Sequence, residues 1–239
     1  MIVTDDQKLL VVNIDSVHFC WPGKHGFWVE IDRFLLSSAE RLFLLGPSGS
    51  GKSTLLSLVT GIVSPLKGEI DILGTNLGSL SGAARDRFRA EHFGIIFQMF
   101  NLLPYGTAID NVMLPLQFAP ERSKRAAQNG GARHEAHRLL TALGIDEALH
   151  NKPAATLSVG QQQRVAGARA LIGSPQIIIA DEPTSALDRD RQHDFLKLLF
   201  SEACEAGTSV LMVSHDDTHQ KWFDRVLHLP EIIKTGETS

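Results

Sequence analysis

The eight residues Gly46-Pro47-Ser48-Gly49-Ser50-Gly51-Lys52-Ser53 constrain this chain more than any other feature. They satisfy G-x-x-x-x-G-K-[ST], follow the apolar run Leu42 to Leu45 and precede the helix-compatible Thr54-Leu55-Leu56-Ser57-Leu58. Strand, glycine-rich loop and helix in that order form the context in which this motif cradles phosphates. Glycines let the backbone curl until successive N–H groups point at phosphate oxygens. The helix start adds unpaired N–H groups and a partial positive charge. Lys52 is therefore expected to reach the β- and γ-phosphates of a nucleotide, and Ser53 to ligate Mg²⁺. Alone, the loop specifies nucleotide phosphates but no reaction.

Two adjacent acids supply the chemistry. Ile177-Ile178-Ile179-Ala180 reads as a buried strand that ends in Asp181-Glu182. Such a strand delivers carboxylates to the carboxyl edge of a parallel sheet, where nucleotide loops lie. Asp181 suits Mg²⁺, which prefers oxygen ligands, and Glu182 suits the attacking water. Gln98 ends the run Phe93 to Phe97; alone it reads as a satisfied polar residue at a strand end, but an amide there could touch both Mg²⁺ and water. His215 follows another apolar strand, Ser209 to Val213, and a neutral imidazole there can hydrogen-bond a γ-phosphate. Leu157-Ser158-Val159-Gly160-Gln161 precedes a helix, and Ser158 and Gln161 have capping-box spacing. A second anion-binding helix start is redundant within one chain, but has a use if two copies meet and each offers it to the other's nucleotide.

Around these motifs, apolar runs alternate with helical stretches, the pattern of an α/β fold. Strands are expected at Leu10 to Ile14, Phe27 to Ile31, Arg41 to Leu45, Glu69 to Leu73 and Gly94 to Phe97, and at the two apolar runs named above. Helices are expected at Ser53 to Thr60, Arg133 to Leu143, Ser158 to Ile172 and Asp190 to Ala206. The last puts Phe195, Leu198, Leu199, Ala203 and Ala206 on one face, with Cys204 beside it as a packing residue. Pro120 to Asn151 is polar, carries Asn129-Gly130-Gly131, and reads as part of a helical insertion. Within it, Glu121 to Arg138 carries five Lys and Arg against two Asp and Glu, a charge expected on a solvated helix face.

Composition narrows the class. Hydrophobic residues make up 43% of the 239, enough for a substantial core. The 23 Lys and Arg fall short of the 27 Asp and Glu, so a general nucleic-acid partner is not expected. Cys20 and Cys204 form neither a CxxC nor a zinc spacing, which suits a reducing compartment. No stretch reaches the roughly 18 apolar residues of a membrane span. The richest, Phe93 to Phe118, is broken by Gln98, Asn101, Pro104, Asp110, Asn111 and Pro115. Met1 to Asp6 lacks the basic and apolar regions of a signal peptide. Any membrane work is therefore expected to rely on spans from another chain.

Taken together, the motifs resemble the nucleotide-binding subunit of ABC transporters, over nearly the whole chain. Gly46 to Thr54 matches Walker A, Gln98 the Q-loop, Leu157 to Gln161 the ABC signature and Ile177 to Glu182 Walker B. Ser185-Ala186-Leu187-Asp188 matches the D-loop and His215 the switch histidine. Ser158 stands 23 residues ahead of Asp181, a signature one helix before Walker B. The resemblance implies a P-loop NTPase core with an N-terminal antiparallel β subdomain and an inserted α-helical subdomain. It implies one nucleotide-binding domain over 1–239, with 1–97 and 159–239 as core and 98–158 as helical subdomain and Q-loop. It implies ATP with Mg²⁺ held by Ser53, Gln98 and Asp181, and catalysis by Glu182, His215 and Gln98. Trp21 stands where the family places a ring against adenine, with Phe19 as competitor.

The same resemblance implies a head-to-tail homodimer and an integral-membrane permease docked beside the Q-loop and helical subdomain. The chain would then lie on the cytoplasmic side of the inner membrane. Phe97 to Pro104 and Asn111 to Pro115 look most like the branch serving lipoprotein release and macrolide efflux, an export or mechanotransmission role. An amino-acid importer ATPase and a soluble ABC-type ATPase are the alternatives. One position departs from the family pattern: Val159 stands where glycine is usual, placing a β-branched side chain near the expected nucleotide interface.

Overall fold

Leu10–Cys20 (β1) and Phe27–Ser37 (β2) alternate buried apolar with exposed polar residues, so each strand has one wet face. The chain continues through Arg41–Leu45 (β3), Lys52–Val59 (α1), Lys67–Ile72 (β4), Thr75–Asn76 (β5) and Gly82–His92 (α2). Phe93–Ile96 (β6), Ala108–Met113 (α3), Pro120–Ala127 (α4), Ala132–Ala142 (α5) and Val159–Leu171 (α6) follow. The last third holds Ile177–Asp181 (β7), Arg189–Glu205 (α7), Ser209–Ser214 (β8), Arg225–His228 (β9), Leu229–Ile232 (α8) and Ile233–Glu237 (β10). The structure is a computed structural model that describes residues 9–23, 26–128, 130–185 and 187–237. Met1 to Asp6, Asn129 of the predicted polar turn and Ala186 of the predicted D-loop lie outside the described residues.

The chain divides into two units. One runs from the start to Arg89 and from Leu211 onward, the other from Ala90 to Val210, so the division falls inside β8. In the first unit, a five-stranded antiparallel sheet has the order β10-β2-β1-β4-β5. Its register sets Ile14 opposite Phe34 on one side and Ile70 on the other, with Val17 opposite Ile31. These five are buried, so the sheet closes one face against the core while Asp15, Asp32 and Arg33 face water. β3 pairs with β9 in parallel, Leu42 opposite Arg225 and Leu44 opposite Leu227, and leads straight into the glycine-rich loop.

In the second unit, β6 and β7 pair in parallel, with Gly94 opposite Ile178 and Ile96 opposite Ala180. β7 is buried from Ile177 to Ala180 and becomes half-exposed only at Asp181. The described residues of 98–158 contain helices and short 3₁₀ turns, with one isolated bridge between Thr107 and Pro153. Thr107 and Asp110 form a capping box at the start of α3, which holds the Asp110 carboxyl below its ordinary pKa. Asn111 is fully buried: it accepts from the Leu103 N–H at 2.7 Å and donates to the Leu103 and Thr107 carbonyls at 3.1 and 3.0 Å. The polar residue that interrupts the apolar stretch is thus the knot that shapes the loop before α3.

The α/β class, the antiparallel N-terminal sheet and the helical stretch agree with expectation. β1 and β2 run to 11 residues each, longer than predicted, because polar residues occupy the wet face of the ladder. α2 was not foreseen, since none of its residues is buried and no apolar stripe marks it. On α7 the buried stripe is Phe195, Leu196, Leu199, Phe200 and Ala203, and Leu198 is only half-buried. Cys204 is exposed and is not a packing residue, because it lies one step around the helix from Ala203. The basic run also differs from expectation. Arg122 is 1% exposed rather than solvated, and its guanidinium donates only to backbone carbonyls in the contacts seen, including Ile172 at 2.7 Å, Phe93 at 2.8 Å and Ala170 at 2.8 Å. Burial pushes its pKa down to about 9, still above neutral pH.

Candidate functional site

In the first unit, β3 delivers the chain to Gly46, whose N–H donates to the Ser214 carbonyl at 3.2 Å. The loop then turns through Gly51, which sits in the left-handed region at φ 94 and ends the turn as the N-cap of α1. No side chain caps α1 and its first turn has no acidic residue. A helix start with neither a side-chain cap nor an acid in its first turn suits an anion such as phosphate. Lys52 is 8% exposed, and its ammonium donates to the Gly46 and Pro47 carbonyls at 2.7 and 3.0 Å. The cation is therefore stored within the loop it would serve. Ser53 is exposed beside it and Thr54 is buried.

Trp21 is 38% exposed, and its indole N–H donates to the Thr54 hydroxyl at 3.1 Å. Phe19 meets it edge-on at 5.1 Å but is itself 6% exposed. Of the two candidate rings, only Trp21 offers a surface to a ligand, and it is tied to the phosphate loop. A cleft of about 550 Å³ is lined by Gly46, Pro47, His215, Asp217, His228 and Glu231 among others. The structure thereby brings His215, exposed at the end of β8, beside the start of the loop.

In the second unit, Asp181 is the last residue of β7 and Glu182 the first beyond it. Glu182 adopts φ 44, a left-handed conformation that costs a non-glycine residue about 1–3 kcal/mol. The strained turn is held from behind. The Ser185 N–H donates to the Glu182 carbonyl at 3.2 Å, and buried Gln163 of α6 donates to the Pro183 carbonyl at 2.5 Å. Gln192 of α7 donates to the Thr184 and Leu187 carbonyls, both at 2.9 Å. Asp188 caps α7, accepting from the Arg191 N–H at 3.0 Å. Ser185 and Asp188 are exposed, and Leu187 is half-buried.

Ser158 caps α6 in a reciprocal pair with Gln161: the Ser158 N–H donates to Oε1 of Gln161 at 2.9 Å, and the Gln161 N–H to the Ser158 hydroxyl at 3.4 Å. Val159 is 49% exposed at the first helical position, so its side chain is not part of the core. A Cβ at Gly160 would meet Leu187 at 3.5 Å, which sets the start of α6 against the D-loop. Gln98 is exposed after β6 and is followed by a tight turn. In that turn Phe100 and Asn101 are both left-handed, at φ 56 and 49. Arg169 of α6 donates to both their carbonyls.

Arg169, Gln163 and Arg122, which hold these segments through backbone carbonyls, were not among the residues singled out from the sequence. One signal was present: Arg169 interrupts the small apolar run Val165-Ala166-Gly167-Ala168-Arg169-Ala170-Leu171. A charge there must either leave the core or find carbonyls within it.

Comparison with known proteins follows the same lines. Residues 30–185 match the family described as ABC transporter. The lipoprotein-releasing system ATP-binding protein LolD of Syntrophotalea carbinolica is 39% identical over 201 residues, covering 84% of this chain and 86% of that one. The macrolide export ATP-binding/permease protein MacB of Haemophilus ducreyi is 41% identical over 190 residues, covering 80% of this chain and 26% of that longer one. Among solved structures, the dimeric post-hydrolysis state of the ATP-binding cassette MJ0796 bound to ADP and Pi superposes with a TM-score of 0.77. It is 34% identical, over 91% of this chain and 93% of that one.

Proposed function

This chain belongs to the ABC transporter ATP-binding family and hydrolyses ATP as a transporter subunit, and from that premise we propose how its residues divide the work and which partners it serves. The loop Gly46 to Thr54 holds the phosphates, Lys52 leaving its carbonyl partners for the β- and γ-phosphates. Trp21 stacks on adenine. Asp181, Ser53 and Gln98 offer a carboxylate, a hydroxyl and an amide oxygen, a hard donor set that fits Mg²⁺. When bound, Mg²⁺ neutralises charge on the phosphate oxygens. Glu182 orients and deprotonates the attacking water, and His215 contacts the γ-phosphate.

Two copies pair head to tail, Ser158 to Gln161 of each facing the nucleotide of the other, with Ser185 to Asp188 alongside. Closure on ATP and reopening after hydrolysis drive a separate permease. The relatives named for lipoprotein release and macrolide export support an export or mechanotransmission role. Among the described residues no helix is long and apolar enough to cross a membrane. The family supports placing the chain as a peripheral subunit on the cytoplasmic face, beside a permease that supplies the spans.

One observation carries the permease reading. Met99, Tyr105 and Phe118, which follow Gln98 in sequence, are 82%, 80% and 65% exposed. Large apolar side chains left in water suit burial by a partner. Detergent extraction of native membranes followed by affinity capture tests this. The wild-type chain should bring down an integral-membrane protein, and Tyr105→Asp should lose it. Recovery of the wild-type chain from the soluble fraction alone would instead favour a non-transport ATPase.

A further inference from the structure

We infer that Arg169 is a positioning residue for Gln98, acting through the left-handed turn at Phe100 and Asn101; this rests on the role proposed above for Gln98. Two consecutive non-glycine residues at φ 56 and 49 are unfavourable and persist only where the surroundings over-determine them. Arg169 supplies that constraint. Its Nη1 donates to the Asn101 carbonyl at 2.6 Å and its Nη2 to the Phe100 carbonyl. The guanidinium fork spans two adjacent carbonyls in fixed geometry, which an ammonium cannot do. The side chain is 8% exposed, and burial alone pushes its pKa down. Its place in the last turn of α6, where carbonyls lack helical partners, suits a cation.

The other side of Gln98 is fastened to the same helix end. Arg122 donates to the Phe93 carbonyl at the start of β6, and to the Ala170 and Ile172 carbonyls at the end of α6. Between these points Gly94 leaves no slack, since a Cβ there would stand 2.1 Å from the Ala170 carbonyl oxygen. Gln98 therefore lies within a segment pinned to the end of α6 on both sides, at Phe93 and, two residues beyond it, at Phe100–Asn101. The strand side is held by packing as well as by Arg122. The turn side depends on Arg169. Releasing Arg169 frees the turn and lets Gln98 drift, while the phosphate loop, built from other residues, keeps its grip.

The test uses the full-length chain in four forms: Arg169→Met, Arg169→Lys, Gln98→Ala and the Arg169→Met/Gln98→Ala double variant. Thermal melting, ATP affinity and steady-state hydrolysis are measured for each. In Arg169→Met, ATP affinity should stay within about twofold, while kcat falls about 10- to 100-fold, the scale of a misplaced catalytic group. Arg169→Lys should recover part of kcat, having the charge but not the fork. The double variant should be no slower than Gln98→Ala, because both changes disable the same group. Arg169→Met at the wild-type rate with Gln98→Ala slow would overturn the inference and leave the reading of Gln98 intact. Gln98→Ala at the wild-type rate would remove both. Parallel loss of melting temperature, affinity and kcat in Arg169→Met, unrelieved in Arg169→Lys, would reduce Arg169 to a structural residue. If Arg169→Met does not fold, Arg169→Lys decides: wild-type kcat refutes the clamp, and reduced kcat at wild-type affinity and melting temperature supports it.

Discussion

Lys52 closes the loop to which it belongs, its ammonium held by the Gly46 and Pro47 carbonyls. Lys52→Ala removes that brace and the cation meant for phosphate. Calorimetric titration should show ATP affinity reduced at least tenfold, and phosphate release should be lost; wild-type turnover would take Lys52 out of the site. Trp21 and Phe19 separate by exposure. Trp21→Ala should weaken ATP binding by about 1–3 kcal/mol, the worth of a base–aromatic stack. Phe19→Leu, a change in the core, should lower the melting temperature and leave affinity alone. An equal loss of affinity in both would show that neither ring is the platform. The loop residues were legible because phosphate geometry fixes their spacing. Arg169 was not, because its partners are backbone carbonyls of residues 68 and 69 positions away, which leave no pattern of side chains in the sequence.

At the scale of elements, α6 is where binding motif and scaffold coincide. Its start carries the Ser158 cap, its middle holds the turn after Glu182 through Gln163, and its end is gripped by Arg122. Arg122→Met would leave several buried carbonyls without their donor. We expect a loss of about 3 kcal/mol or more in urea unfolding, since each orphaned buried acceptor costs about 1–3 kcal/mol. A loss under about 1 kcal/mol, the level of an ordinary surface change, would mean that water replaces the guanidinium. Val159 is the opposite case. Its side chain is half in water, so Val159→Gly should change stability by no more than about 1 kcal/mol, the helix cost of glycine. Dimerisation with ATP, followed by light scattering, should be retained or strengthened. A variant that no longer pairs would mark Val159 as an adapted contact. The helices α1, α5, α6 and α7 match their expected bounds to within a residue or so, whereas β1 and β2 run six residues past theirs. α2 escaped because it has no buried face, and β9 and β10 because short strands of four and five residues carry too little periodicity.

For the whole molecule, hydrolysis and assembly are linked through Glu182. The turn that presents it stores a left-handed φ and is braced by Gln163 from α6, so its carboxylate is held where a freely packed glutamate would not be. Glu182→Gln keeps the size of the side chain and most of its hydrogen bonds, but removes the charge and the basicity. The phosphate loop is untouched, so ATP binding should survive. The chemical step should slow by about 10²-fold or more, on the scale of general-base catalysis. If closure follows ATP and reopening follows its loss, a variant that binds but cannot hydrolyse must accumulate closed. Size-exclusion chromatography with ATP and Mg²⁺ should then show Glu182→Gln as a dimer under conditions where the wild type returns to monomer, and ADP should release it. A monomeric Glu182→Gln with slowed hydrolysis would keep the carboxylate in the chemistry but uncouple it from assembly. A Glu182→Gln that hydrolyses ATP at the wild-type rate would place the catalytic base elsewhere and leave the strain at Glu182 without a function.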